Sequence, residues 1–421
     1  MKKILFLIGV FASTAVFGQI SEGRRITEKL CSSEMSGRGY VRSGDSLAAE
    51  FLASEFERRK LKPLRKQESY FQEFEFDVNT FPGAMQLKVQ NRLLQPGVDY
   101  MVDPASGSSN TEWNYRYLDR ESLFSQDTME LLLHELRNTR SWNSLVIDPR
   151  GLHGDTLKEV KSFARALTEA CHVILLSEEK FVFSVASEQL RFSLIYLKPE
   201  SYVSGAKVES HIQAQWKENH VSRNVMAYLP AKRWTRKTVF VTAHYDHLGM
   251  MGSETYFPGA NDNASGTSML FALADHFKKH RSRYNMVFIA FAGEEAGLLG
   301  SKYFVEHPPV RLKKIRFLLN LDIMGSGEEG VTVVNGSVYR DQFDRLVALN
   351  EKEQLLQKIK IRGKAANSDH YWFSEKGVPS FFIYTMGPNK HYHDVFDTYD
   401  ELSFAAYENV VKLLVSFVEQ L

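Results

Sequence analysis

Downstream of residue 206 the chain repeats one pattern: an apolar run, a polar turn, a helical stretch and another apolar run. The runs are NVMAYL (224–229), TVFVTAHYD (238–246), NMVFIAFAG (285–293), IRFLLNLDI (315–323) and VPSFFIYT (378–385). Helical periodicity fills GTSMLFALADHFKKH (266–280), GLLGSKYFVEH (297–307) and RDQFDRLVALNEKE (340–353). Strands that are apolar on both faces need cover on both faces, and intervening helices supply parallel crossovers. The pattern predicts an α/β fold with a mixed, mainly parallel sheet and helices on both faces. In such sheets the ligand site lies outside the carboxyl ends of the strands.

Upstream, residues 21–62 read as helical. In SGDSLAAEFLASEFERRKL the apolar residues Leu47, Phe51, Leu52 and Phe56 fall near a period of 3.6, and Ser46 or Asp45 is placed to cap the start. YFQEFEFDVNTF (70–81) alternates as a strand does, and AMQLKVQNRLL (84–94) is a second candidate. Between 95 and 205 the texture changes to loops such as PASGSSN, short strands (SLVID, HVILLS) and a helix near Leu157–Thr168. Its histidines, His134, His153 and His172, sit in no catalytic pattern and read as surface or packing residues. The expected division is 1–18, 19–94, a smaller inserted α+β or β domain at 95–205, and a main domain at 206–421.

The first residues, MKKILFLIGVFASTAVFGQ, carry Lys2 and Lys3, an apolar stretch and small residues before Gln19. That is the form of a secretory signal cut at about residue 18, and its apolar run is shorter than the roughly 20 residues a bilayer requires. The expectation is an exported protein, periplasmic or extracellular, with no membrane span after cleavage. The formal charge of +1 and the lack of a long basic or acidic block in the sequence give no sign of a nucleic-acid partner. Two cysteines, Cys31 and Cys171, leave no thiolate zinc site; a disulfide between them and two buried thiols both stay open.

Candidate chemistry gathers at the ends of the apolar runs. FAGEEAGLLGS places Glu294 and Glu295 side by side after a buried strand, where unpaired burial of either is costly. Helix-dipole stabilisation at the next turn is one account of them. TAHYDHLG sets His244 and Asp246 two apart, on one face of a strand end, with His247 on the other side. PGANDNASGTSML holds Asp262 before a helix, where Asp262 or Ser265 suits a cap. LLNLDIMGSG ends a strand on Asp322, and HYHDVFDT (391–398) follows the final run. Packing gives no reason for three apolar strands to end on a carboxylate at one sheet edge. Two imidazoles and several carboxylates without a thiolate suit a pair of zinc ions that share a bridge and leave a position open for water. Nearby cations also favour the ionised form of carboxylates that would otherwise repel each other.

In this order, HxD, GANDNASG, AGEExGLxGS, NxD and HxxxDT resemble the zinc aminopeptidases of peptidase family M28, over about 222–421, with 21–94 similar to the amino-terminal part of the same domain. The stretch 95–205 stands where many relatives carry a protease-associated insertion. The resemblance implies a zinc-exopeptidase (phosphorylase/hydrolase-like) fold with two Zn2+ ions: His244 and Asp322 on one, Glu295 and His393 on the other, Asp262 bridging. It implies Asp246 as the residue orienting His244 and Glu294 as the general base. The spacing to Asp397 and Thr398 selects His393 over His391. NSDHYWF is similar to a family segment expected to start a helix beside the site, and the bond after the bridging aspartate is expected to be cis. The implied function is removal of amino-terminal residues from peptides with a free amino terminus. Glutaminyl-peptide cyclotransferase chemistry, with one zinc, is the alternative, and carboxypeptidase or dipeptidase action stays open. Tyr256, Phe257 and Tyr392 could line a pocket or simply pack.

Overall fold

A computed structural model describes residues 20–64, 67–138 and 141–421; the expected signal sequence lies outside the described residues. The apolar runs form one nine-stranded sheet. Its parallel centre is Asn285–Phe291, Thr238–His244, Ile315–Leu321 and Ser380–Met386, in that spatial order. Antiparallel neighbours flank it: the long strand Gln215–Leu229 beside Asn285–Phe291, and Gly330–Val334 beside Ser380–Met386. Phe71–Thr80 pairs with the long strand.

Alternation explains why the central runs are apolar throughout. Val239, Val241 and Ala243 face one core with Met286, Phe288, Ala290, Phe317 and Leu319, whereas Phe240, Val287, Ile289, Phe291 and Leu318 face the other. Helices Gly44–Arg58, Gly266–Lys279, Arg340–Glu353 and Tyr407–Gln420 cover the first face. Leu299–Glu306 and His370–Glu375 cover the second through Phe304 and Phe373.

The sequence pattern misplaces one residue of a helical face. In Gly44–Arg58 the buried apolar side chains are Ala48, Ala49, Leu52, Ala53 and Phe56, while Leu47 is 45% exposed. Small alanines let the helix lie close to the sheet, so the buried stripe runs through them. Asp45 does not cap this helix: it is buried, accepts a hydrogen bond from Ser222 at 2.9 Å and sits 2.8 Å from His220 Nε2.

The inserted segment forms two further sheets. One has five strands, with Ser144–Ile147, His172–Leu176 and Leu194–Leu197 parallel at its centre. The other has four, and in it Met85–Val89 pairs with Val208–Ile212. That pairing joins strands on either side of the expected limits, so the continuous pairing of the smaller unit reaches from Met85 to Ile212, wider than 95–205. Cys31 is buried in the core of the main sheet and Cys171 in a core of the smaller unit. Among the described residues, no helix is long and apolar enough to cross a membrane.

Truncating Leu52, which is fully buried, to alanine is expected to cost about 2–5 kcal/mol in urea unfolding. Leu47→Ala should stay within about 0.5 kcal/mol of the parent. Equal costs at the two positions would contradict the helix orientation.

Candidate metal centre

The carboxyl ends of the central strands bring the charged clusters together. His244 ends its strand opposite Phe291, which sets Asp246 beside the turn that carries Glu294 and Glu295. Asp322 directly follows Ile315–Leu321. Asp262 lies in the buried turn Ala260–Ser265, just before helix Gly266–Lys279. It makes no helix-capping bond; neither does Ser265, whose hydroxyl instead donates to the carbonyl of Asn261. The Asp262–Asn263 bond is cis. His393 comes from the loop after Ser380–Met386.

The two oxygens of Asp262 face different imidazoles: Oδ1 lies 3.2 Å from His244 Nε2 and Oδ2 lies 3.1 Å from His393 Nε2. Each imidazole nitrogen meets one more carboxylate, Asp322 at 3.3 Å from His244 and Glu295 at 3.2 Å from His393. The result is two buried donor sets that share Asp262.

The far side of each ring settles what Nε2 can do. His244 Nδ1 donates to the backbone carbonyl of Asp246 at 3.2 Å, and His393 Nδ1 donates to that of Phe183 at 3.1 Å. A carbonyl only accepts, so Nδ1 carries a proton and Nε2 is the nitrogen that offers a lone pair to a metal once its own proton is displaced. This is the usual arrangement behind metal-ligating histidines, and with the oxygen donors it fits zinc.

Electrostatics point the same way. Burial pushes Asp262 up, but hydrogen bonds from His244 and His393 hold it well below the usual carboxylate range. Burial also acts on Glu295, yet His393 draws it down to about 2. Burial opposes the charged form of His393, and Glu295 with Asp262 nevertheless raises it to about 11. So many carboxylates hold protons on the imidazoles, and a metal would take the place of those protons. Glu294 differs from its neighbour: burial raises it well above the usual range, and the negative charges of Glu295, Asp369 and Asp322 add to this.

Supporting residues fix the centre from behind. The Asp246 carboxylate accepts the backbone N–H of Glu294 at 3.2 Å, that of Glu295 at 3.3 Å and the Tyr40 hydroxyl at 3.1 Å. Its nearer contact to His244 is through its carbonyl, since the carboxylate stands 3.8 Å from Nδ1. Its carboxylate therefore positions the glutamate turn more directly than it orients His244. His247 Nδ1 donates to Glu295 at 2.8 Å, on the side away from His393. Asp397 accepts the backbone N–H groups of Asn261 and Asp262. Ser368, at the start of helix His370–Glu375, donates to Asp322 at 3.3 Å, so the NSDHYWF segment flanks the centre. Tyr392 stacks on His393 with centroids 3.8 Å apart and lines a cleft of about 190 Å³ with Glu294 and Arg362. Phe257 packs instead, against Phe183.

Two parts of the site escape a reading of the sequence. Arg38 is fully buried and donates to the carbonyls of Leu30, Tyr245, Pro258, Gly259 and Asp262, tying the amino-terminal segment to the turn that holds Asp262. Its signal was the flanking glycines of SGRGY: a Cβ on Gly37 or Gly39 would stand 2.2 or 2.4 Å from Gly249. The other part is the inserted unit. Besides the Phe183 carbonyl, Phe183 N–H donates to the His393 carbonyl at 2.9 Å. Lys180 lies 2.7 Å from Asp394 and donates to the carbonyls of Lys390 and Tyr392. Backbone partners leave no trace in residue identity.

Fold and site thus define an α/β protein with a carboxylate–imidazole centre at its strand ends, built for metal. Residues 224–418 match the model of peptidase family M28. The chain is 33% identical over 168 residues to aminopeptidase YwaD of Bacillus subtilis, covering 38% of this chain and 35% of the relative. A probable leucine aminopeptidase of Arthroderma otae is 30% identical over 229 residues, covering 52% and 62%. The chain thus spans from about a third to under two thirds of these relatives' lengths. The crystal structure of BSAP, a zinc aminopeptidase from Bacillus subtilis, superposes with a TM-score of 0.70 at 20% identity over 95% of this chain and 94% of that one. The shared fold therefore includes the inserted unit.

Lys180→Ala should loosen the His393 loop and weaken zinc binding by up to about 10-fold, the low end of the loss seen when a ligand's own outer partner is removed. Competition with a chromophoric chelator measures this, with circular dichroism as the fold control. Unchanged affinity would show that Lys180 does not hold the loop of His393, the candidate ligand.

Proposed function

We propose that the protein is an exported zinc aminopeptidase that binds two ions and removes amino-terminal residues from peptides. The observation that carries this reading is Asp262, whose two oxygens each approach a different imidazole, a placement that suits a bridge between two metals. His244 and Asp322 would hold one zinc, Glu295 and His393 the other, with Asp262 common to both. Bound there, zinc supplies Lewis acidity toward a peptide carbonyl and makes water a better acid.

The remaining steps belong to the chain. Glu294 lines the cleft, and burial has moved its proton affinity upward, which suits a group that takes up a proton and returns it. It takes the proton of the attacking water and returns it to the leaving amine. The hydrogen bonds from the Glu294 and Glu295 amides to Asp246 hold this turn while Glu295 faces His393. The acidic cluster attracts the substrate's ammonium group, which favours cleavage at a free amino terminus. The signal-like segment 1–18 supports export, and the position of the smaller unit supports a protease-associated insertion.

Glu294→Gln is expected to lower kcat on aminoacyl anilides by about 10²–10⁴-fold while zinc content stays unchanged. A near-normal rate would remove Glu294 from its role. Loss of metal from Glu294→Gln but not from Glu295→Gln would exchange the two roles. Zinc stoichiometry, measured together with anilide hydrolysis and cyclisation of a Gln-peptide, with and without chelator, tests the whole reading. Two zinc ions and chelator-sensitive hydrolysis are expected; one zinc with cyclisation would replace the peptidase by a glutaminyl cyclotransferase.

A further inference from the structure

We propose that the sheet edge opposite the metal centre is a docking face for an anionic lipid surface. Four segments meet at that edge: 231–238, 278–285, 306–316 and 375–379. Together they hold thirteen lysines and arginines against two glutamates, in a chain whose net charge is only +1. The rest of the molecule is therefore net acidic, and the charge is polarised along the strands.

Topology brings the segments together. Thr238 pairs with both Asn285 and Ile315, so the amino ends of three central strands lie side by side. The Leu318 N–H donates to the Pro379 carbonyl, which adds the fourth. Lys232 N–H donates to the Ser282 carbonyl, and the Asn285 side chain donates to the carbonyls of Thr235 and Lys237. A rigid frame thus presents the cations. Apart from Arg316, which turns to the carbonyl of Leu421, the lysines and arginines of these segments are exposed. Among the described residues none of them is ion-paired to an acid, and Glu375 pairs with Lys364 from outside the four segments. Close packing of so many like charges costs stability unless something outside the chain offsets it.

Two further features select a lipid surface. Trp234, within the basic run, is 83% exposed and stacks under Arg236, with 5.3 Å from guanidinium carbon to ring centroid. An exposed indole flanked by cations suits the headgroup level of a bilayer. Beside it opens a cavity of about 620 Å³, far larger than the cleft at the metal centre, rimmed by Arg236, Arg311 and Lys314 and floored by Phe240, Val287 and Ile315. A cationic rim over an apolar floor matches an anionic headgroup with the start of its acyl chain. Single-stranded nucleic acid would call for a series of exposed aromatic rings along a groove, and this edge offers one. Docking here would leave the metal centre facing away from the surface, about 20 Å distant along strands of seven residues.

The test is co-sedimentation of the purified protein with phosphatidylcholine vesicles, with and without phosphatidylglycerol, at low and high salt. The expected result is binding at least about ten-fold tighter to the anionic vesicles, weakened by salt. The triple variant Arg236→Glu, Arg311→Glu, Lys314→Glu should lose it. Trp234→Phe should lose the vesicle-induced blue shift of emission even if the triple variant fails to fold. Equal binding to both vesicles, no binding, or full binding by a folded triple variant overturns the proposal. Binding to heparin or DNA in place of vesicles would overturn lipid as the partner.

Discussion

Everything at the active edge depends on holding several carboxylates close together in a buried space. Carboxylates repel, and burial alone would protonate them. Asp262 stays ionised because an imidazole stands on each side of it, and those imidazoles are steered by carbonyls behind them. The surrounding structure serves that arrangement. Arg38 and Asp397 fix the turn of Asp262 from its carbonyl and amide sides, Asp246 fixes the glutamate turn, and His247 fixes Glu295. Glu294 and Glu295 are adjacent in sequence yet opposite in proton affinity, because His393 and His247 face only one of them. Adjacency thus separates the carboxylate proposed to bind metal from the one proposed to exchange a proton.

The central sheet was legible because its strands are apolar on both faces, a property set by local residue choice. The residues gathered at the metal centre were legible because each ends such a strand or sits in the loop that follows. Other features depend on contacts that residue identity does not encode. On the apolar face of helix Gly44–Arg58 only Leu47 was misread, because alanines and not this larger residue face the sheet beside Leu52 and Phe56. The pairing of Met85–Val89 with Val208–Ile212, on either side of 95–205, could not be read because the two strands lie far apart in sequence. The basic edge was invisible for a related reason: each segment is short, and only parallel pairing places the four together.

The molecule thus has two chemically different ends joined by the same strands. Acidic residues collect where the strands finish, and basic residues collect where they begin. The parallel arrangement makes this separation possible, since every central strand contributes its start to one edge and its finish to the other.

The inserted unit also constrains the order in which the protein matures. Thr80 pairs with Gln215 across the whole insertion, and closing so long a loop is slow unless the intervening chain is already compact. The insertion is therefore best placed to fold early and bring the two long strands into register. His393 comes near the end of the chain and takes its ring partner from Phe183 within that unit. The second half of the metal centre can be completed only after both the insertion and the last strand are in place. A chain emerging from synthesis would thus hold no active centre until it was almost entirely folded, a built-in delay for a proposed peptide-cleaving enzyme.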